Sequence, residues 1–283
     1  MEIKGSTNVV ALIGHPVEHS FSPPMHNAAF KDLKMDYVYT AFDVNPNDLE
    51  NAIKGAQALS IKGFNVTIPH KIEVMKYLSE IDEVAGLIGA VNTIDFKNLK
   101  GYNTDGIGAI RAIEEVTKVK NKNVVIAGAG GASRAISFYL AKYSADNLTI
   151  LNRNVEKADN LASDVLDSNL IDDVKSDSIS KVNDYLDDAD ILINTTPVGM
   201  HPNVDANPIV SAEAMHEDLV VFDAVYNPNE TVLLKEALKA GAEPVYGIKM
   251  LLYQGAESFE IWTGKKAPID VMEDALIKTL GLW

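Results

Sequence analysis

The chain has 283 residues, 47 % of them hydrophobic, with 18 glycines and 11 prolines, which gives two ordinary domains or one large one and excludes disorder or a collagenous repeat. It has no cysteine, so disulfides, thiolate catalysis and cysteine-held metals are excluded. A formal charge of −15 repels nucleic acid and anionic lipid, so an anionic small molecule has to be met by local cations and helix N-termini.

Short apolar β-branched runs alternate with amphipathic stretches almost from end to end, the pattern of an α/β protein with mostly parallel sheets. Strands are expected at Asn8 to Gly14, Tyr37 to Val44 and Gly63 to Ile68. Helices are expected between them at Pro24 to Lys34 and Asp48 to Leu59, with Ser22 capping the first. Gly89 to Phe96, Lys97 to Gly101 and Tyr102 to Asp105 read as strand, turn and short strand, and Ile107 to Val116 has helical spacing.

A second strand series follows at Asn123 to Gly128, Leu148 to Arg153, Asp190 to Pro197, Leu219 to Val225 and Glu243 to Gly247. The acidic stretch from Asp164 to Asp190 reads as solvated helix and loop. Ile248 to Gly264 and Asp270 to Leu280 are helical with no strand of their own to cover, so they are expected to pack back on the first domain. The expected divisions are 1–105, 106–247 and 248–283. No apolar run approaches the roughly 20 residues of a membrane span and the start lacks the pattern of a signal peptide, so the expected compartment is the cytoplasm.

Asn123-Val-Val-Ile-Ala127 runs into Gly128-Ala-Gly-Gly-Ala-Ser133 and then a helical pattern, the order a dinucleotide pyrophosphate needs. Gly128 allows the tight turn, Gly130 lets the backbone approach the phosphates, and helix N-terminal amides supply donors. Ser133 replaces the third glycine of GxGxxG. The next strand ends Leu151-Asn152-Arg153-Asn154, with Lys157 one turn on, where an NAD site would place an acid on the ribose. The chain has only three arginines, Arg111, Arg134 and Arg153, and two flank these turns. Arg153 offers a planar charged fork to a phosphate, which points to NADP rather than NAD.

Lys71 lies just beyond the strand ending at Ile68, where open α/β sheets place ligands. A lone lysine is ordinarily a solvated one. Here, however, Ser20, Ser22, Asn65, Thr67, Asn92, Thr93, Asn103, Thr104 and Asp105 recur at strand ends, a set suited to a hydroxylated small acid. His15, His19 and His26 are close in sequence but lack the spacing and further ligands of a zinc site, so no metal is expected.

These segments resemble the shikimate dehydrogenase family over nearly the whole chain. The residues that carry the resemblance are Gly14-His-Pro-Val-Glu-His-Ser-Phe-Ser-Pro23 with His26-Asn27, Asn65-Val-Thr-Ile-Pro-His-Lys71, Gly89-Ala-Val-Asn-Thr93 and Gly101-Tyr-Asn-Thr-Asp105. Later matches are Gly128-Ala-Gly-Gly-Ala132, Asn152-Arg153, Asn194-Thr-Thr-Pro-Val-Gly-Met200, Asp223-Ala-Val-Tyr-Asn-Pro228, Gly247, Met250-Leu251, Gln254-Gly255 and Trp262-Thr-Gly264. Asn154 stands where the family usually has Thr or Ser, a departure that touches the detail of the phosphate contact.

The resemblance implies an N-terminal open, mostly parallel α/β substrate domain, a Rossmann domain for NADP(H), and C-terminal helices returning to the first domain. It implies reversible reduction of 3-dehydroshikimate to shikimate, in aromatic amino acid biosynthesis, with Lys71 and Asp105 as the catalytic pair. Ser20 and Ser22 would bind the substrate carboxylate, while Thr67, Asn92, Asp105, Tyr226 and Gln254 would meet ring hydroxyls or line the pocket. Gly128, Ala129, Gly130, Gly131 and Ala132 would hold the pyrophosphate, and Asn152, Arg153, Asn154 and Lys157 the adenosine phosphate. Glu83, Ala224, Gly247 and Met250 would lie near the cofactor. The partner expected is the small substrate, with neither nucleic acid nor membrane, and a homodimer is the assembly left open. A quinate-accepting dehydrogenase, an NADP-sensing module and a methyltransferase are the competing readings; the Lys71 and Asp105 pair disfavours the second and the missing acid near Asn152 the third.

Overall fold

Two α/β units realise this alternation in the computed structural model, which describes residues 2–281. Of the described residues, the first comprises 2–104 and 252–281, and the second 105–251. The first opens with β1 (Asn8–Gly14), α1 (Ser22–Asp32), β2 (Tyr37–Asp43), α2 (Leu49–Ala58) and β3 (Gly63–Val66). They are followed by β4 (Glu80–Ile81), α3 (Glu83–Ile88), β5 (Thr93–Asp95) and β6 (Lys100–Tyr102). The sheet order is β2-β1-β3-β5-β6-β4, with β1 parallel to both neighbours and β5 antiparallel to both of its own. One face buries Ala11, Ile13, Ile53, Phe64, Val66 and Ile94.

The second unit runs α4 (Asp105–Ile113), β7 (Asn123–Ala127), α5 (Gly131–Lys142), β8 (Asn147–Asn152), α6 (Val155–Asp167) and β9 (Val174–Ser178). It continues through β10 (Ile191–Asn194), β11 (Val220–Asp223), α7 (Val232–Ala240) and β12 (Glu243–Tyr246). All neighbouring strands are parallel, in the order β9-β8-β7-β10-β11-β12. That is the doubly wound order of a dinucleotide-binding sheet, whose direction of winding reverses between β7 and β10. Its inner strands β7, β10 and β11 are near-continuous buried apolar runs, as in parallel sheets covered on both faces; Val125, Leu151, Leu192 and Val221 share one cluster.

The tail is two helices, α8 (Gly247–Thr263) and α9 (Ile269–Leu280). From Leu252 on it belongs to the first unit, where α9 packs on α1 and Phe259 lies 5.1 Å from Phe30, ring to ring. Trp262 donates its indole N–H to the Ile94 carbonyl at 2.9 Å, and any side chain at Gly63 would collide with that ring. The returning helices were legible because a helical tail without a strand must find another apolar face. Among the described residues no helix is long and apolar enough to cross a membrane.

Four local expectations are corrected. Ser22 is the first residue of α1 rather than its cap; the cap position is Phe21, and the Ser20 hydroxyl accepts the Ser22 N–H at 3.2 Å. The strand expected over Gly89 to Phe96 is confined to β5, because α3 precedes it and ends on Gly89 at φ 73°. The next strand is Lys100–Tyr102, the turn being closed by Leu99 at φ 49°, and Asp105 already starts α4. The acidic stretch contains β9, which pairs with β8 at the sheet edge. Its sequence, Val-Lys-Ser-Asp-Ser, has one apolar residue, so no hydrophobic period marked it.

Candidate active site

In the first unit, the loops after β1 and β3 leave adjacent parallel strands at the point where the order 2-1-3 reverses, a ligand-binding place in open α/β sheets. Ser20 and Ser22 follow β1; Thr67 and Lys71 follow β3. Beneath them lies a buried polar network. The Tyr39 hydroxyl donates to Asn65 Oδ1 at 2.8 Å, and Asn65 Nδ2 donates to Ser258 Oγ at 2.9 Å and Thr93 Oγ1 at 3.1 Å. Thr93 in turn donates to Asn92 Oδ1 at 3.0 Å, which also accepts the Thr104 N–H at 2.7 Å, and Ser258 donates to the Gln254 carbonyl at 3.0 Å. Asn65, Thr93, Asn92, Thr104 and Ser258 are all at most 5 % exposed, so each group depends on these partners.

Ser22, 8 % exposed, hydrogen-bonds Tyr39, and burial pushes the Tyr39 phenol above its usual range. Tyr39 is held from behind: Asn27 clamps its backbone with bonds of 2.8 and 2.9 Å, and the His26 ring stacks on it at 4.4 Å and 5°. Burial pushes the His26 imidazole down to about 3, so it is a neutral stacking platform, and neither nitrogen has a hydrogen-bond partner among the described residues. His15 bonds Asp43 at 2.6 Å and His70 bonds the Val44 carbonyl at 2.7 Å. Among the described residues no group of three or more His, Asp or Glu is arranged to hold a metal ion.

Lys71 is partly buried, and its carbonyl accepts the Val91 N–H at 2.8 Å, which ties the segment after β3 to the segment before β5. Gln254 is partly buried on α8, and Glu83 is the exposed first residue of α3. Thr104 closes the first unit's polar network and Asp105, the next residue, opens α4 of the second.

In the second unit, a cavity of about 1010 Å³ opens at the β7/β10 reversal, lined by Gly128, Ala129, Gly130, Asn152, Arg153, Asn154 and Lys157. Gly128 has φ 113°, a conformation that favours glycine, and its N–H donates to the Leu151 carbonyl at 2.7 Å. Gly130 differs: its φ of −95° suits any residue, and a methyl group there would meet no protein atom within 4 Å. The protein's own packing therefore does not require glycine at 130, whereas a phosphate brought against the backbone does. Helix α5 begins there without a side-chain cap, presenting first-turn amides to an anion. Ser133, in the third-glycine position, is buried and donates to the Gly128 carbonyl at 2.7 Å, pinning the turn.

Arg153, Asn154 and Lys157 are exposed. Asn154 caps α6 by accepting the Lys157 N–H at 3.3 Å, and Asn152 Nδ2 donates to the Asn154 carbonyl at 3.0 Å. The residue that departs from the family pattern thus caps the helix as Thr or Ser would. The other wall is Thr195, Thr196, Pro197 and Val198, to which the sequence pattern alone gives no role. Their signal was positional: they leave β10, the partner of β7 across the reversal. Gly131, Ala132, Ala224, Gly247 and Met250 lie outside this lining; Tyr226 is 37 % exposed in the loop after β11.

The family models for the shikimate dehydrogenase substrate-binding domain, the shikimate/quinate 5-dehydrogenase domain and the shikimate 5'-dehydrogenase C-terminal domain match residues 12–94, 111–230 and 247–277. The chain is 69 % identical over 280 residues to a Methanobrevibacter smithii protein named shikimate dehydrogenase (NADP(+)), covering 99 % of this chain and 100 % of that one. The chain belongs to the shikimate dehydrogenase family. A shikimate dehydrogenase crystallised with NADP+ superposes with a TM-score of 0.92 at 55 % identity, covering 99 % of this chain and 98 % of that one. The Listeria monocytogenes shikimate 5-dehydrogenase in complex with shikimate and NAD gives a TM-score of 0.93 at 35 % identity, covering 98 % of each chain. Both folds expected from the sequence, the open substrate domain and the Rossmann domain, are those of this family.

Proposed function

We propose that this chain is an NADP-dependent shikimate dehydrogenase that reduces 3-dehydroshikimate reversibly to shikimate, a step of aromatic amino acid biosynthesis. The observation that carries the reading is the presence of Arg153 and Lys157 in the same cavity as the Gly128 to Gly130 turn, in a chain so close to a relative of that name. The amides of residues 128–132 serve the pyrophosphate and residues 152–157 the adenosine phosphate, Arg153 through its fork and Lys157 as a point charge. Glu83, Ala224, Gly247 and Met250 complete the surroundings of the cofactor in this reading.

The bound cofactor supplies and accepts the hydride; the proton is the protein's task. As negative charge gathers on the ketone oxygen, the Lys71 ammonium donates a hydrogen bond and then the proton. In the oxidation direction the neutral amine takes the hydroxyl proton back. Asp105 pairs with Lys71 in this reading and orients the amine toward the reacting oxygen. Ser20 and Ser22 receive the carboxylate, and Thr67, Asn92, Tyr226 and Gln254 orient the ring hydroxyls. The network from Tyr39 through Asn65 to Ser258 supports this reading, because it fixes Ser22 and Asn92 from below.

Initial rates in the oxidation direction test the proposal. With NADP+, shikimate should raise the absorbance of reduced nicotinamide, and quinate much more slowly. No shikimate-dependent signal overturns the reading; equal rates on quinate assign the chain to the broader quinate/shikimate class.

A further inference from the structure

Asp223, the last residue of β11, is fully buried after three apolar residues and, among the described residues, has no cation as a hydrogen-bond partner. Burial pushes its carboxyl up to about 6, against the pull of three neutral donors. Those donors come from three different segments. Asn194 Nδ2 at the end of β10 bonds Oδ1 at 2.9 Å, the Val225 N–H bonds the same oxygen at 3.0 Å, and Thr231, which caps α7, bonds Oδ2 at 2.7 Å. Asn194 then passes the restraint on: its Oδ1 accepts both the N–H and the hydroxyl of Thr196, at 2.9 and 2.7 Å. Thr196 lines the cavity beside Gly128. On the far side of the same loop, a Cβ at Gly247 would stand 2.5 Å from the Val225 carbonyl and 2.7 Å from that of Asp223.

We propose that Asp223 is a positioning residue for the dinucleotide: through Asn194 it fixes the Thr195 to Val198 wall of the cavity, and through Val225 and Thr231 it fixes the loop that carries Tyr226. The inference rests on the reading of this cavity as the cofactor site. A carboxylate suits the position because it accepts only, and every group aimed at it donates. The cations that would distinguish NADP from NAD, Arg153 and Lys157, follow β8, on the other side of β7 from β10 and β11. Loosening the Asp223 wall should therefore weaken both dinucleotides alike.

Fluorescence titration of Asp223→Ala with NADPH and with NADH reads this directly. Both should bind roughly tenfold more weakly, with their ratio within about twofold of the parent's. Asp223→Asn should restore most of the affinity, since its amide oxygen can accept from Asn194 and Val225 while its NH2 donates to the Thr231 hydroxyl. Arg153→Ala is the contrast: it should weaken NADPH selectively. Unchanged affinity in Asp223→Ala overturns the proposal, as does a loss confined to NADPH. Should Asp223→Ala fail to fold, Thr196→Val carries the test, with an equal loss of about threefold for both dinucleotides expected and no loss overturning the proposal. If the parent binds NADPH but turns over no shikimate, the enzymatic reading fails while these titrations still decide the role of Asp223.

Discussion

In the first unit, the strand ends beside β3 are furnished by side chains: Asn65, Thr93, Asn92, Thr104 and Ser258 are buried and satisfied by one another. In the second, the strand end beside β7 is furnished by backbone, with Gly130 leaving open space and α5 presenting uncapped amides. Both sites stand at a reversal of strand order, yet they suit different ligands. A hydroxylated ring needs directional partners of fixed identity, which only a packed network holds still. A pyrophosphate needs close approach and positive potential, which require room more than side chains. The consequence is that the first site is coupled to the stability of its unit, while Gly130 in the glycine turn of the second can be altered with little effect on folding.

The largest expected effect lies in the chemistry. Lys71→Ala should lower kcat by about 3 to 5 kcal/mol in transition-state stabilisation while leaving NADPH affinity near the parent's, as steady-state kinetics and titration would show. Next comes Asn65→Leu, which leaves the Tyr39 hydroxyl, Thr93 and Ser258 short of a partner. It should destabilise by about 3 kcal/mol in urea unfolding, and a stability loss under about 1 kcal/mol would break the claim that the first site depends on its network.

A pH comparison sharpens the same point. The folded His26 imidazole is held near 3, below its ordinary 6.5, so its contribution is full above 6.5 and falls as acid protonates the unfolded chain. At pH 5 the parent should have lost about 2 kcal/mol through this group, a loss that His26→Phe should not show. Asp223 acts in the opposite sense, gaining stability as pH falls from about 6 towards 3.8, so the difference between parent and variant is the quantity to read. The smallest effect belongs to the second unit: Gly130→Ala should change stability by less than about 0.5 kcal/mol yet weaken NADPH by about 1 kcal/mol or more. A variant that unfolds, or binds as the parent does, would contradict the assignment of that glycine to a ligand.

Much of this is legible in the sequence. The strand, glycine turn and helix at Asn123 to Ser133 carry their own geometry, and the helical tail could only return to another domain. The network under Ser22 was half visible: its members were noted as polar residues at strand ends, but Ser258 lies 193 residues from Asn65, and no local pattern joins them. Tyr39 and His26 were invisible as a stack because a strand residue and a helix residue meet only after folding. The Thr195 to Val198 wall was missed for a related reason: its neighbour is Gly128 across the sheet, not along the chain. Strand β9 escaped because an edge strand needs few apolar residues.

The most direct test of the whole account is a pair of initial rates for the purified chain with 3-dehydroshikimate, one with NADPH and one with NADH at equal concentration. The account predicts ketone-dependent oxidation of NADPH that far outpaces that of NADH. Oxidation of neither, or equal oxidation of both, would contradict it.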